Sequence, residues 1–388
     1  MHERLTNEQK DTIAERIVPL DRARTFITLS VVLYHSAINY TYFGQGGDHM
    51  QWIGFDLVAL FNDSYFMSCM FFISGLFVPA SLARRGTANY LTRRAWRLGV
   101  PYLVSILVIM PIAYYRYYVV EDDFATVWWR MVTVGPWPSG SAWFLGVLLG
   151  FDAIAALLWA LWPGMIGIGA RWANILRHRP LAGFIAFLAL ANIAYLPMHL
   201  GLGDALWFMP GHFPLPLQAS RALLYPLFFV FGIAIGAAGL TNGPLMAEGA
   251  LVQRWNLWFV FAYACYGAIL LLAYAHHNWI ADFDAPPLWW RSAYGAVVAS
   301  FCAAMAFAVP TFFLRWARAP LSLMDRVQPS AYGIYLLHFI PLLWLQYLVY
   351  GLAWPAVVKF AIVLIGTLSA SWAATVLLRR IPVVARTV

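Results

Sequence analysis

The stretch Asp21–Tyr42 reads DRARTFITLSVVLYHSAINYTY. From Thr25 onward it is apolar enough, and long enough, to cross a bilayer as a helix, which takes about 20 residues. It nevertheless carries Arg24 near its start and His35 eleven positions later. Ionisable groups on a membrane-spanning segment are costly to hold there, so each one raises a functional question. At 1.5 Å per residue the two lie roughly 16 Å apart along the axis and on nearly the same face.

Nine further apolar runs follow, at about 57–80, 98–115, 142–162, 180–197, 222–239, 255–275, 292–314, 330–349 and 355–378. Hydrophobic residues make up 62% of the 388 and charged residues only 11%, against about a quarter charged in a soluble domain. The expected fold is an all-α, polytopic membrane helix bundle of about ten transmembrane helices. We expect an N-terminal segment over 1–20, a membrane domain over 21–380 and a tail over 381–388. The polar first 20 residues lack the apolar core of a cleavable signal peptide.

Loop charge sets the expected orientation. With the N-terminus inside, the inner segments hold twenty Lys and Arg and the outer ones four. That asymmetry predicts both termini in the cytoplasm (N-in/C-in). The net charge of +8 comes from arginines scattered through short loops, which argues against nucleic-acid binding. Cys69, Cys265 and Cys302 all sit in apolar runs, so neither a disulfide framework nor a metal site is expected. The outer loops are rich in aromatics and acids, among them His49, Trp52, Asp122, Trp129, His212, Phe213, Asp284 and Trp290. They suit an interfacial belt or a carbohydrate-binding rim. No internal repeat is visible, which weighs against a secondary transporter.

His35 has two readings, a neutral histidine bonded to Asn39 or Ser36 and a proton-abstracting base. Asn62 and Asp63 open the second run from the same side, and Asp63 is either the orienting partner of His35 or a wetted helix end. Ser74-Gly75 reads as a close helix contact. The stretch 84–101, RRGTANYLTRRAWRLGVP, holds five arginines. There Arg94 and Arg97 are i,i+3 and Arg93 and Arg97 are i,i+4, so each pair shares a helix face. Such pairs bind phosphates or mark the inner membrane face. Trp143 opens the fourth run, and Tyr335 and His338 are i,i+3 on the ninth.

LDRARTFITLSVVLYH over 20–35, FFISGLF over 71–77, RRAWRLGVP over 93–101 and AYGIYLLH over 331–338 together resemble the acyltransferase-3 family of integral membrane acyltransferases. SAWFL over 141–145 adds a weaker fifth likeness. The family's arginine and histidine, ten intervening residues apart, correspond to Arg24 and His35, and its R-x-x-R pattern to Arg94 and Arg97. The resemblance implies a bacterial inner-membrane enzyme that moves an acyl group, acetyl or succinyl, from acyl-CoA to a hydroxyl of an extracytoplasmic glycan. Within the family the chain is similar to the branch that succinylates periplasmic glucans.

On this reading His35 is the general base and Asp63 its partner. Arg24, Arg93, Arg94 and Arg97 hold the donor phosphates. Asn39, Asn62, Trp143, Tyr335 and His338 lie on the acceptor side or behind the base. The alternative is a proton-coupled transporter of an anionic metabolite or lipid-linked sugar, with His35 as relay; a weaker one is a non-catalytic partner of a glycan synthase.

Overall fold

The computed structural model describes residues 18–44, 48, 50–135, 137–208, 216–280, 282, 285–317, 322–385 and 387. Residues 1–17 of the expected N-terminal segment lie outside these, as do His49, His212, Phe213 and Asp284 of the aromatic rim. All ten apolar runs are helical. Among the described residues eight helices are long and apolar enough to cross a membrane, or nine if a bent pair counts as one span. The opening helix, whose first two turns carry Asp21, Arg22 and Arg24, is not among these, so eight or nine candidate spans stand against the about ten expected.

In chain order, α1 is Val18–Ala37, α2 Ile53–Leu76, α3 Val78–Tyr117, α4 Phe124–Thr133, α5 Trp143–Leu161, α6 Met165–His178 and α7 Pro180–Leu202. A short antiparallel hairpin follows, β1 Trp207–Phe208 with β2 Leu217–Gln218. Then come α8 Leu224–Ala237, α9 Trp255–Trp279, α10 Leu288–Trp316, α11 Ala331–Leu337, α12 Phe339–Val349 and α13 Ala356–Leu378.

The bundle packs α10 at its centre, with Phe301–Val309 buried throughout against α9, α7, α2 and α1. The α2–α8 contact brings backbone against backbone. A Cβ at Gly75 would fall 2.2 Å from the Phe229 carbonyl oxygen, and one at Gly232 would fall 2.1 Å from that of Phe72. Ser74-Gly75 is thus a close helix contact, the small-residue packing that membrane helices use in place of a hydrophobic drive.

Prolines shape the helices that carry the site. The segment 81–97, between the second and third apolar runs, is helical on both sides of a break at Gly86, and beyond the break it runs on into the third span of α3. Pro101 has no N–H for the Arg97 carbonyl one turn back. The helix widens to π-turns over Ala95–Gly99, and the Arg97 carbonyl accepts from the Tyr332 hydroxyl at 2.6 Å. The same device recurs at Pro111, where the helix widens over Ser105–Ile109 and the Leu107 carbonyl accepts from Trp128 Nε1 at 2.8 Å. Pro341 likewise has no N–H for Leu337, and the chain turns by 65° at His338 between α11 and α12.

At the start of α1 the structural anchor is Arg22. Its Nε and Nη2 donate to the two carboxylate oxygens of Asp325 at 2.7 Å each, and its Nη1 donates to the Ala317 carbonyl. At the other end of α1, Lys359 of α13 is fully buried and donates to Asp48 at 2.6 Å. That ion pair ties the loop after α1 to the last helix.

Candidate active site

A cavity of about 280 Å³ opens where α1, α2, α5, α8, α11 and the hairpin meet. Each helix offers residues at helical spacing, so one face of each turns inward. From α1 come Val31, Tyr34 and His35; from α2, Asp63, Phe66 and Met67. Gly140, Ser141 and Trp143 line it at the start of α5, Trp207 and Gln218 from the hairpin, and Arg221, Tyr225 and Tyr335 close the wall. Four of the residues singled out from sequence therefore share one cavity: His35, Asp63, Trp143 and Tyr335.

His338 lies directly behind His35, with no exposed surface. Its Nε2 is 3.3 Å from His35 Nδ1, and its own Nδ1 is 2.7 Å from the Tyr335 carbonyl oxygen. These contacts assign the protons. A carbonyl only accepts, so His338 Nδ1 carries the hydrogen and donates it. In the neutral ring His338 Nε2 is then an acceptor, and His35 Nδ1–H donates to it. The lone pair of His35 is left on Nε2, the nitrogen turned away from His338.

Two other links brace this wall. The Tyr335 hydroxyl donates to the Ser141 carbonyl at 2.5 Å, and Gln346 Nε2 donates to the His35 carbonyl at 3.1 Å. The His35 ring bonds His338 rather than Ser36 or Asn39, and Ser36 donates to the Val32 carbonyl in its own helix at 2.8 Å. Asn39 and Asn62 do not line the cavity; Asn62 is buried and donates back along α2 to the Val58 carbonyl at 2.7 Å. Asp63 does line it, but its bond runs to Arg221.

Arg221 is the residue that sequence reasoning missed. It looked like one of four stray outer cations. It is nearly buried, donates to Asp63 Oδ2 at 3.0 Å and to the Asp63 carbonyl at 3.1 Å, and reaches the Tyr225 hydroxyl at 3.2 Å. Trp143 stacks on Tyr225, with ring centroids 5.9 Å apart, so it belongs to the cavity wall rather than to an interfacial belt alone. The available signal was the Arg-x-x-x-Tyr spacing, which puts both groups on one helical face.

The arginines gather near the opposite end of α1. Arg24 lies over the ring of Phe77, 5.0 Å from its centroid, and is close enough to Arg94 and Arg97 for their charges to interact. A π-turn over Ala95–Gly99 follows Arg94 and takes in Arg97, and both arginines lie near enough to Arg24 and Tyr332 for their charges to act there. Arg94 Nε sits 2.9 Å from Asp152 Oδ2 without the alignment of a hydrogen bond, so the contact is ionic. Asp152 is fully buried and also accepts from the Tyr90 hydroxyl at 2.5 Å. Arg97 is exposed. Arg93 faces a separate groove with Arg84 and Arg85.

Residues 17–376 match the family model Acyl_transf_3, an acyltransferase domain. The chain belongs to this family. It is therefore a multi-pass membrane acyltransferase, and the transporter reading gives way to group transfer. The family implies an acyl donor and an acceptor. No curated protein matches the chain.

Proposed function

We propose that this acyltransferase moves an acetyl or succinyl group from acyl-CoA to a hydroxyl of an extracytoplasmic glycan, with His35 as general base. The donor reaches the arginine end from the cytoplasm of a bacterial cell, and the acceptor reaches the hairpin end from outside, as N-in/C-in topology requires. Arg24 and Arg97 hold donor phosphates, and Arg94 adds its field while anchored to Asp152. His35 Nε2 takes the proton of the acceptor hydroxyl. The oxygen attacks the thioester carbonyl, the C–O bond forms, the C–S bond breaks, and the imidazolium returns its proton to the leaving thiolate. Coenzyme A leaves as free thiol and the glycan as its ester.

The observation that supports this reading most is the chain from the Tyr335 carbonyl through His338 to His35. It presents a histidine lone pair at the wall of a cavity that also holds a carboxylate, a guanidinium and two tryptophans. Those groups suit the hydroxyls and flat faces of a sugar.

The test is thiol release. Purified protein in detergent, given acetyl-CoA or succinyl-CoA and a β-glucan oligosaccharide, should release free thiol in step with a mass gain of the oligosaccharide. Thiol release without ester on the oligosaccharide removes the acceptor assignment. No release from either thioester removes the donor assignment.

A further inference from the structure

Outside the cavity at His35 lies an open groove of about 500 Å³ lined by Arg84, Arg85, Asn89, Thr92 and Arg93. Among the described residues every liner is polar, three are arginines and none is a carboxylate. The groove is built by a break in α3. Gly86 takes φ 70° and ψ 166°, a conformation that only glycine adopts readily. Arg84 and Arg85 stand before the break, and Asn89, Thr92 and Arg93 after it. Asn89 Nδ2 donates across the break to the Arg85 carbonyl at 3.2 Å, which ties the two segments together.

Neighbouring arginines thus serve two different concavities. Arg94 turns inward to the buried Asp152, beside Arg24 and Arg97. Arg93 turns the other way, into the groove, where it and Arg84 are exposed. One end of the molecule therefore carries two basic sites, one half-buried at the bundle and one farther out.

We propose that the groove binds a phosphate group, and that this is the 3′-phosphate of the donor coenzyme, with its diphosphate at Arg24 and Arg97. The assignment rests on the acyl-CoA reading above. The diphosphate of coenzyme A lies on the arm that leads to the thioester, so it belongs at the mouth of the bundle. The phosphate monoester projects from the ribose, away from the reacting end, so it falls on the outlying site. A monoester dianion has three terminal oxygens, and planar guanidinium forks match them. An anionic lipid headgroup offers the same phosphate chemistry and is the source to be distinguished.

The experiment is a titration of detergent-purified protein with coenzyme A and with dephospho-coenzyme A, followed by calorimetry at fixed ionic strength. Wild type should bind coenzyme A about tenfold more tightly or better, since charged hydrogen bonds are at stake. Arg84→Gln/Arg93→Gln should lose most of that ratio, chiefly by binding coenzyme A more weakly. The ratio is read within each protein, so a reduced folded fraction does not move it. If the double variant does not fold, Arg84→Gln alone should show a smaller drop in the same ratio.

Equal binding of both nucleotides by wild type overturns this inference alone, as does a ratio that survives in the variant. Failure of both nucleotides to bind is instead failure of the donor reading. A parallel arm measures retention of phosphatidylglycerol in nanodiscs of that lipid and phosphatidylcholine. Retention that depends on Arg84 and Arg93, with no nucleotide ratio, assigns the groove to a headgroup and overturns the coenzyme assignment.

Discussion

The two ends of α1 solve the problem of polar groups in a membrane bundle differently. At the His35 end the groups are joined by directional hydrogen bonds, from the Tyr335 carbonyl through His338 to His35. At the Arg24 end they are charges, and a buried carboxylate, Asp152, holds one of them. The lesson is that residue type does not separate anchor from instrument; the partner does. Arg22 and Arg24 are two residues apart, yet Arg22 is clamped by Asp325 while Arg24 lies against Phe77. Arg94 and Arg97 divide in the same way.

The largest expected effect lies at the histidine end. His35→Ala removes the base and should slow acyl transfer by about 10²–10⁴-fold. Thiol release under saturating donor measures it, with elution from a sizing column as the check on folding. A folded His35→Ala protein that keeps wild-type turnover would break the proposed division between the two ends.

The arginine end should respond in stability before activity. Arg94→Ala leaves Asp152 buried without its cation, and uncompensated buried charges cost about 3–5 kcal/mol. Asp152→Asn in the same chain should restore much of the loss, because the stranded charge is gone. Arg97→Ala, at an exposed position, should leave stability within about 0.5 kcal/mol and raise the donor KM about tenfold. Thermal unfolding and donor titration read the two quantities separately. Equal destabilisation by both substitutions would erase the distinction.

Next in size is the tautomer. His338→Leu removes the acceptor for His35 Nδ1–H and should cost about 10–100-fold in turnover, as loss of a supporting hydrogen bond typically does. His338→Gln keeps an acceptor in its amide oxygen and should recover much of that loss. A purely packing role for His338 predicts the reverse order, since Leu suits a buried apolar wall better than Gln.

The helices were legible in the sequence because apolar length is a local property, and all ten runs are helical. The Gly75 contact was legible because Ser74-Gly75 is a pair of small residues inside an apolar run. What stayed hidden were partners far apart in the chain. His35 and His338 are 303 residues apart and Arg221 and Asp63 are 158 apart; no spacing rule reaches so far. Asn39 and Asn62 were placed by proximity along the chain, but Asn62 spends its amide on its own helix. Asp152 and Lys359 are a different case. Each is an ionisable residue inside an apolar run and fully buried, and the reasoning applied to His35 would have flagged both. The π-turn between Arg94 and Arg97 was readable in part, since Pro101 removes a helical donor.

The smallest expected effect tests whether the hairpin is mere scaffolding for the histidine end. Asp204 sits outside the α7 span, where its Oδ2 is 2.9 Å from His199 Nδ1 and its Oδ1 accepts from the Tyr195 hydroxyl at 2.9 Å. Burial alone would raise its pKa, but the polar groups of His199 and Ser220 beside it, with the nearby charge of Arg221, outweigh burial and hold it at about 2. An unfolded aspartate titrates near 3.9, so the fold favours the ionised form. That contribution is full above the unfolded value and is lost as pH falls through about 2. The side chain is 35% exposed, so solvent screens the gain. Asp204→Asn should lower the melting temperature at pH 5 by only about 1 °C, less at pH 3, and not at all toward pH 2. Turnover should hold, because Gln218 of the hairpin donates to the Asp204 backbone carbonyl at 2.6 Å, which the substitution leaves in place. A variant with an unchanged melting temperature but impaired turnover would move Asp204 from the scaffold into the acceptor path.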